Sequence, residues 1–94
     1  MIASFRSKAL ERFWRKGDAR KVDTFHVRKI GAILTALDRA VIATDMNLPG
    51  FGFHRLSGDQ AGRFAVKVDK NWRITFGWSV DGPDAIDVDY QDYH

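Results

Sequence analysis

Three short stretches of this chain gather side chains that can move protons or hold a phosphate. The first is Phe53-His54-Arg55-Leu56-Ser57-Gly58-Asp59, with a His and an Arg just before a glycine turn. The second is Asn71-Trp72-Arg73-Ile74-Thr75-Phe76, an alternating run with one guanidinium in it. The third is Asp92-Tyr93-His94, a carboxylate, a phenol and an imidazole in a row. Each stretch taken alone has a plainer reading. A lone His is more often structural than catalytic, a strand Arg is often only solvated, and polar chain ends commonly fray.

Taken together, the three supply what metal-free cleavage of RNA requires. A 2′-hydroxyl is a poor nucleophile until a base takes its proton, and the departing 5′-oxygen needs an acid. The crowded phosphorane between them needs a fixed positive charge. His54, Asp92, Tyr93 and His94 are the candidates for proton transfer, and Arg73 for the charge, because a planar guanidinium suits phosphate oxygens. Which group is base and which is acid stays open at this level.

Other chemistries find less support. There are no cysteines and no His-Glu-x-x-His pair, so no metal or other cofactor is expected. No glycine-rich nucleotide loop is present, and Ser57 and Ser79 lack the turn that exposes a serine nucleophile. His26 falls within the long helical stretch and reads as a surface residue.

The elements that must position these groups follow from hydrophobic spacing. Ser7 is a plausible N-cap for a helix carrying Leu10, Phe13 and Trp14, with Gly17 to end it. Asp23 or Thr24 can cap a longer helix whose Val27, Ile30, Ile33, Leu34, Leu37 and Val41 recur at helical spacing. Met1 to Phe5 is a candidate edge strand, and Asp45 to Gly52 reads as a loop. Beyond it the period becomes two, over 53–56, 63–68, 72–78 and 85–90. This predicts an α+β fold, two N-terminal helices packed on one face of a small, mostly antiparallel sheet, as one domain over residues 1–94. If Trp72, Ile74, Phe76 and Trp78 face the helices, Arg63, Lys67, Arg73 and Thr75 occupy the opposite, open face. Ile86, Val88 and Tyr90 are expected to pack the last strand together.

Charge is unevenly spread. Residues 1–40 hold ten Lys or Arg against four acids, and residues 41–94 hold five against eight, within a net charge of +3. A basic half beside an acidic one suits an anionic partner, a nucleic acid or an acidic protein segment. The opening Met1-Ile2-Ala3-Ser4-Phe5-Arg6 has no long apolar run behind it. A soluble cytoplasmic protein with no membrane association is therefore expected.

The same residues resemble a known family, the HigB-type toxins of bacterial type II toxin–antitoxin systems, within the RelE/ParE superfamily. The resemblance runs essentially end to end. It is carried by the Met-Ile-x-Ser-Phe opening, His-x-Leu-x-Gly-Asp at 54–59, Asn71-Trp72-Arg73-Ile74-Thr75-Phe76 and Asp92-Tyr93-His94. It implies a ribosome-dependent, metal-independent endoribonuclease that cuts translated mRNA, with His54, Arg73, Asp92, Tyr93 and His94 in the active site. It also implies a HigA-like helix-turn-helix antitoxin as partner, with operator DNA reached only through that complex. Where members often carry Pro-Leu-Lys, this chain has Arg55-Leu56-Ser57. Arg55 is then the candidate to take over the lysine's phosphate contact, beside Arg63 and Lys67 as further RNA contacts. The rival readings are a non-enzymatic, ParE-like toxin that binds DNA gyrase and an inactive relative that only binds antitoxin.

Overall fold

A computed structural model describes residues 1–92. Helix α1 spans Lys8–Lys16 and α2 spans Val27–Arg39; strands β1 (His54–Arg55), β2 (Phe64–Lys67), β3 (Trp72–Trp78) and β4 (Ala85–Asp92) follow. They form one antiparallel sheet in the order β1-β2-β3-β4. Both helices and the sheet share one apolar cluster, in which Leu10 of α1 and Ile30, Ile33, Leu34 and Leu37 of α2 join Val66, Ile74, Phe76 and Val88. Truncating a side chain as buried as Ile74 or Phe76 to Ala typically costs about 2–5 kcal/mol.

The first helix forms as its caps dictate. Ser7 Oγ accepts the Leu10 N–H at 3.2 Å, and Gly17 closes the helix at φ 68°, where its N–H reaches Phe13 O at 3.0 Å. The second departs from expectation at both ends. Asp23 caps a 3-10 turn, Thr24–His26, rather than α2 itself, by accepting the Phe25 N–H at 2.9 Å. The helix stops at Arg39, and Val41 is 64% exposed instead of completing the apolar stripe. The reason is Asp45, whose carboxylate accepts the Val41 and Ile42 N–H groups at 2.8 and 3.1 Å and draws the chain off the helix axis.

The expected N-terminal strand is reduced to two parallel bridges, Ile2 to Ala85 and Phe5 to Val88, along the outer edge of β4. A bulge in β4 interrupts that pairing. Opposite Phe76 alone stand both Asp87 and Val88, with Asp87 at φ +52°. The extra residue resets the alternation, so Ala85, Val88 and Tyr90 pack with the core while Ile86 turns to the other side. There Ile86 lies over Gly77, whose missing Cβ would stand 3.3 Å from it. The expectation that Ile86 packs with Val88 and Tyr90 is thus corrected by one inserted residue.

Candidate active site

Register assembles the polar side of the sheet in rungs. His54, Ala65, Thr75 and Asp89 are successive partners across β1 to β4, and Lys67, Arg73 and Gln91 form the next rung. Partners in an antiparallel pair point the same way, so these side chains share one side. Lys67 and Arg73 stand directly opposite each other. Like charges so placed destabilise a sheet unless an anion lies between them.

The centre of this side is less open than alternation alone suggests. Arg63 lies across it and donates from Nη2 to Thr75 Oγ1 at 2.9 Å and to the Asp87 carbonyl at 2.8 Å, leaving Thr75 fully buried. Burial pulls the Arg63 pKa below its ordinary value, and Arg6 pulls the same way against Asp87 and Asp89. A guanidinium starts so high that it keeps its proton regardless.

Arg73 Nη2 donates to Gln91 Oε1 at 3.3 Å. The Gln91 amide donates in turn to Asp89 Oδ2 at 3.1 Å and pairs with Gln60, which reaches over from the 3-10 turn Gly58–Gln60. Asp89, Gln91 and Gln60 were missed as site residues. The first two were legible as polar positions of β4, but their side depends on the bulge.

His54 Nδ1 is 3.0 Å from the Gly52 carbonyl, which can only accept, so Nδ1 carries the proton. In the neutral ring Nε2 is therefore the basic nitrogen. Gly52 sits at φ +57° with the Lys67 stem against its Cα, where an added Cβ would stand 3.0 Å from Cδ. Arg55 is placed apart from the other candidates, since it pairs with Phe64 and stacks its guanidinium on that ring at 5.2 Å. It shares the side of Phe64, not that of Lys67 and Arg73.

A family model described as "RelE-like toxin of type II toxin-antitoxin system HigB" matches residues 3–94. The chain belongs to the HigB-like toxins. It is 37% identical over 94 residues, the whole of both chains, to the Endoribonuclease HigB of Proteus vulgaris. It also superposes on a chain of the YoeB–YefM complex from Staphylococcus aureus with a TM-score of 0.56 and 18% identity, covering 100% of this chain and 98% of that one, which is a likeness of fold.

In this HigB-like toxin the first two stretches meet on one side of the sheet. His54 and Arg73 share the polar side, on neighbouring rungs. Asp92 pairs with Trp72, so alternation sets its Cβ on the side of Trp72 and Tyr90. Tyr93 and His94 lie outside the described residues. A groove of about 640 Å³ is lined by Gly62, Phe64, Trp78, Val80 and Pro83 and by none of the described candidate groups. Among the described residues no three His, Cys, Asp or Glu side chains converge as a metal site would need, and no helix is long and apolar enough to cross a membrane.

His26 corrects the sequence reading outright. It is 5% exposed, its Nδ1 meets the Tyr90 hydroxyl, and its Nε2 meets Asp69 Oδ2 at 2.7 Å. It lies on the 3-10 turn before α2, so the helical phase that assigned it to the surface does not apply. The 64 residues separating it from Tyr90 leave no local signal by which to find it.

Proposed function

We propose that this chain is the toxin of a type II toxin–antitoxin pair and an endoribonuclease that cuts translated mRNA on the ribosome without a metal. The observation that carries the reading is the row of cations on one side of the sheet, Arg63, Lys67 and Arg73, with the basic nitrogen of His54 on that same side. Strand spacing of about 4.8 Å and a rise of about 3.4 Å per residue put the His54 and Arg73 backbones roughly 12 Å apart. Two extended side chains can close that gap on one phosphate.

A base takes the 2′-hydroxyl proton, the 2′-oxygen bonds to phosphorus, the bond to the 5′-oxygen breaks, and an acid returns a proton to that oxygen. Arg73 and Lys67 neutralise the phosphorane. His54 is one proton-transfer group, and Asp92, Tyr93 and His94 supply the other. Arg63 holds RNA at the centre of the sheet and Arg55 contacts it at the β1 edge. The polar side is available because the two helices cover the opposite face of a single domain, residues 1–94. The partner is a HigA-like helix-turn-helix antitoxin, with operator DNA engaged only through that complex, and the site of action is the cytoplasm.

The test is primer extension on a reporter mRNA in a translating lysate, with free mRNA in parallel. Cuts within translated codons and little cutting of free mRNA are expected, since the ribosome must bring the 2′-oxygen in line, worth several orders of magnitude. Rapid cutting of free mRNA would remove the ribosome from the mechanism. Intact message with stalled replication would favour a gyrase-binding toxin instead.

A further inference from the structure

His26, Tyr90, Asp69 and Trp72 form a cluster that the proposed cleavage does not use. The imidazole is buried with both nitrogens engaged, Nδ1 with the Tyr90 hydroxyl and Nε2 with Asp69 Oδ2 at 2.7 Å. The Tyr90 ring packs against Trp72 at 4.6 Å between centroids and meets His26 edge-on at 5.9 Å.

The two partners stand at the same end of the sheet. Asp69 opens the β2–β3 hairpin, where its other oxygen accepts the N–H groups of Asn71 and Trp72, both at 2.8 Å. That hairpin delivers Arg73, the next residue. Tyr90 lies on β4 two residues before Asp92, and Asp92 pairs with Trp72. One side chain from the turn before α2 therefore holds both chain segments that bear the candidate groups Arg73 and Asp92.

Both ring nitrogens of His26 and both carboxylate oxygens of Asp69 have partners. Burial, with the Asp23 charge adding to it and the Asp23 backbone opposing it, raises the Tyr90 pKa to about 12, so the phenol keeps its proton at neutral pH. It can donate to Nδ1 of a neutral ring, whose Nε2–H then donates to Asp69. The Asn71 N–H and His26 hold the Asp69 carboxyl below its usual range, which keeps it an acceptor.

We propose that His26 is a positioning residue: by clamping Tyr90 and Asp69 it fixes the start of β3 and the end of β4 relative to each other, and so aligns Arg73 with Asp92. This rests on the endoribonuclease reading for its catalytic consequence but not for its structural one. A buried histidine that only filled core space would leave catalytic alignment unaffected.

Tyr90→Phe tests it, because it removes one hydroxyl and keeps the ring against Trp72. Two quantities are read on the full-length protein, amide exchange at Gln91 and Asp92 and cleavage of translated mRNA at saturating and sub-saturating ribosome. The proposal expects faster exchange at both amides and a 10- to 100-fold lower maximal rate, the scale of a misplacement of about 1 Å. Half-saturation should stay within about twofold, since the surface that binds is intact. His26→Gln, which keeps a donor toward Asp69, should retain more activity than His26→Ala. Faster exchange without lost turnover, lost turnover without faster exchange, or parental values of both would each overturn the proposal. If the parent cuts no translated mRNA, the function reading fails instead, and exchange alone then decides whether His26 orders the strand end.

Discussion

His26 has both ring nitrogens engaged and 5% of its surface exposed, whereas His54, at the rim of the sheet, spends Nδ1 on the Gly52 carbonyl and keeps Nε2 as a basic nitrogen. The contrast turns on which atoms are committed, not on residue type. A histidine held from two sides cannot take a proton from a substrate without releasing a partner that the fold needs. One oriented by a single backbone carbonyl has its tautomer chosen and its second nitrogen available.

The comparison can be broken most sharply at the polar side. His54→Gln is expected to lower cleavage by about 10² to 10⁴, the usual worth of a placed proton-transfer group, with the melting temperature nearly unchanged. His26→Ala should differ in kind, adding a loss of stability to a smaller loss of turnover. It leaves Tyr90 and Asp69 without their shared partner and should cost roughly 1–3 kcal/mol in denaturant unfolding. Equal loss of stability in both variants would erase the distinction.

Arg73→Ala comes next, with an expected loss of about 10² to 10³ in single-turnover rate, similar to removing one preorganised donor. Its side chain lies on the polar side of the sheet, outside the apolar cluster, so the melting temperature should fall little. A large fall in melting temperature with unchanged cleavage per folded molecule would make Arg73 structural.

Smaller effects sharpen the buried side through pH. Tyr90 has its pKa raised from 10.0 to about 12, so folding favours the protonated phenol. Its contribution is full below pH 10 and is lost as pH rises toward 12, and Tyr90→Phe should flatten that alkaline limb in thermal melts. Asp69 is shifted the opposite way, below 3.8. Its contribution is present above that value and fades as pH falls through the lowered one. Because that carboxylate is exposed, Asp69→Asn should remove only a slight acid limb.

What could be read without coordinates was local in origin. The Ser7 and Gly17 caps act within one helical turn, and the change from helical to alternating period after residue 52 reports burial on one side of each element. The three chemistry-bearing stretches, and the family resemblance built on them, were also matters of residue type and order. These determined that the chain is an α+β protein with a four-strand region and that His54 and Arg73 bear chemistry.

Tertiary structure decided which side each group serves. The bulge at Asp87 has no meaning until β4 has a partner to be out of step with, yet it sends Ile86 away from the core and Asp89 and Gln91 to the side of Arg73. Likewise Val41 leaves its stripe because the Asp45 carboxylate captures its amide. Arg63 covers Thr75 from 12 residues away, and His26 meets Tyr90 across 64. Alternation and helical period are properties of a few consecutive residues, so sequence carries them. Register and contacts between distant residues exist only once the strands pair and the core closes, and these set Arg55 apart from Lys67 and buried a histidine that its own neighbourhood marked as exposed.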